Sequence, residues 1–169
     1  MIMPFKNKSP RIHPSVFVAP GAHIIGDVEI GDGTSIWFNT TVRGDCHMVR
    51  IGLKTNIQDN SVVHVTQGTG PVSIGSNVTI GHGAVIHACV ISDRCLIGMG
   101  SIILDGAVIP PNSFVAAGSL ISPGKTFPPG YLIKGSPAVA TRPLRPEELA
   151  GIDQSVEYYV AYAKNYFPQ

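Results

Sequence analysis

Charge is what this chain has least of. Lys, Arg, Asp and Glu make up 14% of its 169 residues, against about a quarter in ordinary soluble domains. Much of the surface is therefore expected to be covered by something other than water, and self-association is the simplest cover. The charge that is present nearly cancels, with 12 basic and 11 acidic side chains for a net +1. That leaves no field for nucleic acid or for an anionic membrane. The three cysteines, Cys46, Cys89 and Cys95, are odd in number and lack framework spacing, which points to free thiols in a reducing compartment. The opening MIMPFKNKSP lacks the apolar core of a secretion signal, and no unbroken apolar run is long enough to cross a bilayer. The expected location is the cytoplasm, for a chain one domain long.

Glycine and proline, by contrast, are plentiful, at 19 and 14. Disorder is excluded by a hydrophobic content of 44% and by the order in which the aliphatic residues fall. Ile12, Val18, Ile24, Ile30, Ile36 and Val42 recur every six residues. The step then lengthens to nine before Ile51, Ile57 and Val63, lengthens to eleven before Ile74, Ile80 and Ile86, and shortens to five before Ile91. Ile97, Ile103, Ile109, Val115, Ile121, Phe127, Ile133 and Val139 follow at six again. The fourth position after each is small or β-branched in most units, as at Ala22, Thr34, Thr40, Thr55, Ser61, Ala84 and Ser101.

The 21 units make a hexapeptide repeat, and every irregularity falls after a multiple of three. They therefore group as about seven coils of a three-sided prism, an all-β solenoid whose insertions leave from one corner. Strands about 4.8 Å apart from coil to coil bury the repeated Ile and Val. After Val139 the period changes. Arg145-Pro146-Glu147-Glu148 reads as a helix start, and Leu149, Ile152, Val156, Tyr159, Ala163 and Tyr166 recur at steps of three and four. The expected layout is a β-helix over 1–142 and a C-terminal segment over 143–169, with one helix from about Pro146 to Tyr166 packed on the prism.

The same ladder locates the chemistry. His64 follows Val63 and His87 follows Ile86, both in the third unit of their coils, so the two imidazoles stack one strand spacing apart and can share one tetrahedral ion. Arg43 follows Val42 and occupies the next rung. His82 falls two residues after Ile80, in the second unit, and five residues of extended chain separate it from His87 by about 16 Å. A copy of the chain related by a threefold axis can supply it across an interface. Asp59, two residues after Ile57, lies under His82, with Gln58 beside it. A lone surface histidine is ordinarily just solvated, and His13, His23 and His47 take that reading. Arg43 with Asp45 reads equally as an interface ion pair or as part of the site. Gly124-Lys125-Thr126 is no phosphate loop, since Phe127-Pro128-Pro129 forbids the helix which that motif requires. The tyrosines of the last segment are read as packing, with Tyr159 alone taken as a site residue.

VRGDC at Val42 to Cys46, NIQDNSVVH at Asn56 to His64 and VTIGHGAVIHAC at Val78 to Cys89 resemble the gamma-class carbonic anhydrases over nearly the whole chain. The resemblance implies a left-handed parallel β-helix and a homotrimer with metal sites between subunits. It implies His64 and His87 as ligands from one chain and His82 from the next. Gln58 would position the nucleophile, and Arg43, Asp45 and Asp59 would form an interface network. The implied cofactor is Zn2+, with Fe2+ or Co2+ also accepted by three imidazoles. The implied substrates are carbon dioxide and bicarbonate, through water whose pKa zinc lowers to about 7. Two departures stand out. Cys46 occupies a position that is acidic in the well-characterised members, and Thr66 to Val72, TQGTGPV, replaces an acidic loop associated with proton shuttling. Slow turnover is expected, since His23 and His47 are the remaining candidates for a shuttle and nothing in the sequence places either near the metal. Hydrolysis of a small acyl or acyl-CoA thioester on the same scaffold, and a non-catalytic trimeric assembly role, are the alternatives.

Overall fold

The computed structural model describes residues 1–166, and the repeat register is realised as parallel β-pairing from coil to coil. On the second side of the prism, Val18 pairs with Ile36, Ile36 with Ile57, Ile57 with Ile80, Ile80 with Ile97, Ile97 with Val115 and Val115 with Ile133. On the third, Ile24 pairs with Val42, Val42 with Val63, Val63 with Ile86, Ile86 with Ile103 and Ile103 with Ile121. These residues point inward and form one continuous core, most of them fully buried. The result is a left-handed parallel β-helix of about seven turns followed by a single C-terminal helix.

The corners explain the small fourth position. Ala22, Thr40, Ser61, Ala84, Ser101, Ala107 and Ser113 are fully buried where the chain turns, with no room for a longer side chain. The hydroxyls also tie successive coils together. Thr34 donates to the Gly52 carbonyl at 2.9 Å, Thr40 to that of Gln58 at 2.8 Å and Thr55 to that of Gly75 at 2.8 Å. At Gly81, just before His82, an added Cβ would meet the Met99 nitrogen at 2.7 Å. A glycine there lets two coils approach backbone to backbone.

Each irregular step has its own solution. Strand Thr41–Ile51 runs unbroken around the corner between the third and first sides, and its pairing to His23–Ile30 shifts between Gly26 and Val28. The three extra residues bulge outward there and carry Asp45 and Cys46. The step of eleven is a small excursion closed by a Thr66–Gly70 bridge, and the step of five turns through Ala88 at φ 45°.

One unit differs from expectation. Val139 is 53% exposed, because Ala138–Pro143 folds back antiparallel on Tyr131–Gly135 instead of starting another side of the prism. Gly135, at φ 111°, and Pro137 turn the chain, so the six-residue step from Ile133 to Val139 crosses a hairpin. Ala138 rather than Val139 fills the core.

The helix Pro146–Ala163, extended by a 3-10 turn over Lys164–Tyr166, lies against strands of the second side. Ile152, Val156 and Ala163 are its buried face. Glu148 clasps its start, accepting two bonds of 2.7 Å from Arg142 and one of 2.9 Å from the Arg145 backbone N–H. These bonds hold the Glu148 carboxyl well below the usual carboxylate range. Trp37 stacks on Tyr162 and meets Tyr159 edge-on at 5.3 Å between ring centres. Among the described residues no helix is long and apolar enough to cross a membrane.

Candidate metal centre

His64 ends strand Val62–His64 and His87 ends Val85–His87. Parallel register pairs His87 with His64 and His64 with Arg43, as the spacing predicts. The half-buried rings lie with centres 5.2 Å apart, and His64 Nδ1 is 3.2 Å from His87 Nε2. Zn–N bonds of about 2.0–2.1 Å place two nitrogens of a tetrahedron about 3.3 Å apart. The pair thus already has the spacing of two ligands on one ion.

The far side of each ring meets a carboxylate. His64 Nε2 is 3.1 Å from Asp45 Oδ1, while Asp45 Oδ2 is ion-paired with Arg43. Burial raises the Asp45 pKa, but hydrogen bonds from Arg43 and His64 outweigh it and bring the carboxyl down to about 2. His87 Nδ1 is 2.6 Å from Asp105 Oδ1, and the Thr66 hydroxyl donates to the other Asp105 oxygen. Those two bonds, Thr66 first, lower the Asp105 pKa. Carboxylates so placed fix the tautomer and orientation of a metal-binding imidazole. Asp105 does not stand out in the sequence by type. Its register reveals it: it lies two residues after Ile103, which pairs with Ile86, and so sits one coil along from His87.

His82 stands apart from this pair. Its Nδ1 is 2.6 Å from Asp59 Oδ2, and Asp59 Oδ1 accepts the Phe38 backbone N–H at 3.2 Å. His82 lines a pocket of about 370 Å³ together with Gln58 and Tyr159. The eight residues singled out from sequence therefore form two groups within one chain. Arg43, Asp45, His64 and His87 are one; Gln58, Asp59, His82 and Tyr159 are the other. Burial, and then the charge of Asp59, raise the Tyr159 pKa, which keeps that phenol protonated. Gln58 is 5% exposed and donates through Nε2 to Asn56 Oδ1 at 3.1 Å. Among the described residues no buried side-chain polar atom lacks a partner, so the Gln58 carbonyl is the end left for the pocket.

A rival donor set lies close by. Ligand atoms of Asp45, Cys46 and His64 fall within 4.8 Å of one another. Burial and the Asp45 charge push the Cys46 thiol pKa up, against the thiolate a metal needs, and Asp45 is already held by Arg43. The two imidazoles, each with its own carboxylate, are the better fit to a divalent ion.

Comparison with known proteins gives the family. The sequence profile described as "Bacterial transferase hexapeptide (six repeats)" matches residues 9–44. A carbonic anhydrase of Geobacillus kaustophilus is 46% identical over 98% of this chain and 91% of its own length. Gamma carbonic anhydrase 2 of Arabidopsis thaliana, a mitochondrial protein, is 45% identical over 94% of this chain and 59% of its own. Among solved structures, a putative acetyltransferase of Bacillus cereus superposes with a TM-score of 0.96 at 43% identity, covering 98% of this chain and 96% of that one. From repeat, site and relatives together, the chain belongs to the gamma carbonic anhydrase-like family of hexapeptide-repeat proteins.

Proposed function

We propose that this protein is a zinc-dependent carbonic anhydrase that interconverts carbon dioxide and bicarbonate as a homotrimer. His64 and His87 of one protomer and His82 of the next would hold the ion. The observation that carries the reading is the 3.2 Å approach of His64 and His87, with a third histidine turned to a separate carboxylate of its own. A neighbouring protomer completes such a site where one chain cannot. Val62, Val85, Ile102 and Leu120 form an outward apolar row beside the histidine column, which suits a side covered by protein. The free thiols Cys46, Cys89 and Cys95 suit a reducing, cytoplasmic setting.

When bound, zinc supplies Lewis acidity and lowers the pKa of a bound water to about 7, so hydroxide is available for addition to carbon dioxide. The chain's own residues do the rest. Asp45, Asp59 and Asp105 hold the imidazoles of His64, His82 and His87 in place. Arg43 anchors Asp45. The Gln58 carbonyl accepts the nucleophile's proton in a hydrogen bond and turns its lone pair toward the substrate, without competing for the proton. Tyr159 bounds the pocket and excludes water. Export of the proton is the weak step. The cleft beside Asp45 is lined by Lys8, Asp27, Cys46, His47 and Met48, and the raised Cys46 thiol pKa makes it a poor replacement for an acidic shuttle. Turnover is therefore expected to be slow and to rise with buffer concentration.

Stopped-flow carbon dioxide hydration, run beside metal analysis, tests this reading. Hydration that scales with zinc content supports it; a fully loaded trimer without hydration overturns it. One observation favours a second reading, hydrolysis of a small acyl thioester. The pocket beside Gln58 has an apolar wall of Leu96, Met99, Phe114 and Ala117, more room than carbon dioxide requires. A thioester panel in the same experiment decides between them.

A further inference from the structure

Gln58 ends a chain of hydrogen bonds that begins on the C-terminal helix. Gln58 Nε2 donates to Asn56 Oδ1 at 3.1 Å, Asn56 Nδ2 donates to Thr79 Oγ1 at 2.9 Å, and Thr79 Oγ1 lies 3.1 Å from Ser155 Oγ. The Gln58–Asn56 and Asn56–Thr79 bonds are buried, while the Thr79–Ser155 contact is part-buried at the wall of the pocket beside His82. Thr79 and Ser155 are 76 residues apart and meet only because the helix docks on the second side.

Such a chain has two polarities. If Thr79 gives its proton to Ser155, its oxygen is free to accept from Asn56, Asn56 accepts from Gln58, and Gln58 offers its carbonyl to the pocket. If Thr79 gives its proton to Asn56 instead, both amides turn over and Gln58 offers its NH2 group. Only the first polarity suits a group that must accept a proton from the nucleophile. Either hydroxyl can donate across the 3.1 Å Thr79–Ser155 contact, so Ser155 is the group that can take the Thr79 proton and leave Thr79 an acceptor for Asn56.

We propose that Ser155 and Thr79 are positioning residues that set the polarity of this chain, so that docking of the C-terminal helix fixes which end of the Gln58 amide faces the reacting atoms. The proposal rests on the reading of Gln58 as the orienting group. Ser155→Ala takes away the outward acceptor and frees Thr79 to turn its proton on Asn56. Thr79→Val removes the link at nearly constant volume. Ser155→Thr and Thr79→Ser keep the hydroxyls.

The test uses the full-length trimer and two readouts. The first is the side-chain amide NMR signal of Gln58: in wild type its NH2 is protected from exchange, and in Ser155→Ala and Thr79→Val that protection is lost or the signal shifts to a solvent-facing one. The second is catalysis: kcat falls about 10- to 100-fold with zinc content unchanged and the helix intact by circular dichroism, and Ser155→Thr retains it. Unchanged Gln58 protection in both disrupting variants overturns the proposal, as does loss of activity that tracks loss of the helix fold. If wild type hydrates no carbon dioxide, the functional reading fails, while the NMR arm still decides the polarity.

Discussion

Asp105 Oδ1 stands 2.6 Å from His87 Nδ1, reaching it from the next coil of the solenoid, with Thr66 holding the other carboxylate oxygen. The loop that carries Thr66 holds no acidic residue to shuttle a proton, and through Asp105 it braces His87, a proposed metal ligand. Asp105→Asn removes the charge but keeps the shape. Zinc affinity is expected to drop about 10- to 100-fold, read by chelator competition, with circular dichroism unchanged. Undiminished affinity would mean that His87 needs no brace.

Gln58→Ala should separate catalysis from metal binding. Its amide is buried beside His82 and is proposed to orient the nucleophile rather than to hold the ion, so zinc content should stay near wild type. Hydration should fall about 100-fold, the scale of losing one preorganised hydrogen-bonding group. Equal loss of zinc and activity would make Gln58 a structural residue.

Ile103 is fully buried between Ile86 and Ile121. Ile103→Ala should cost about 2–5 kcal/mol, transfer plus residual cavity, since coils locked by backbone ladders cannot collapse around the gap. Urea unfolding of the metal-free protein measures it, and a cost below about 1 kcal/mol would contradict that rigidity.

Glu148 gives the helix start a pH dependence. Its carboxyl is depressed below the ordinary value of 4.5 by Arg142 and then Arg145. A depressed acid contributes stability that is fully present above the unfolded-state pKa and lost as pH falls through the folded one. The melting-temperature gap between wild type and Glu148→Gln should be full at pH 7, begin to close below about pH 4.5, and vanish in stronger acid. A gap independent of pH would place the effect elsewhere.

What the sequence made legible follows from what a fixed period can encode. Once the repeat sets the register, His64, His87 and Arg43 fall in one column by arithmetic, and the pairing bears that out. The same arithmetic reaches Asp105 from Ile103, but Asp32, Asp59 and Asp93 stand at the same offset in other units, so an aspartate there does not by itself mark a site. Val139 kept the spacing by coincidence, because a hairpin of Gly135 and Pro137 spans six residues as readily as a prism side does. The Thr79–Ser155 contact lies beyond any periodic reading, since it depends on how a helix docks rather than on a repeat.

The separation of His82 from the His64–His87 pair leads to the last prediction. Within one chain His82 is engaged by Asp59, while the paired imidazoles approach each other to 3.2 Å, so a site closed across protomers needs a different chain for each part. His64→Ala and His82→Ala trimers should each lose most of their zinc, because each would lack one of the three proposed protein ligands at every interface. In a trimer mixed from the two variants, some interfaces set the protomer that keeps His64 and His87 against the protomer that keeps His82. Those interfaces hold an intact ligand set. Co-refolding the variants should therefore recover a fraction of the zinc and of the activity, read by metal analysis of trimers isolated through two different affinity tags. If the dual-tagged trimers recover neither, His82 does not act in trans, and the third ligand must come from the chain that carries His64 and His87.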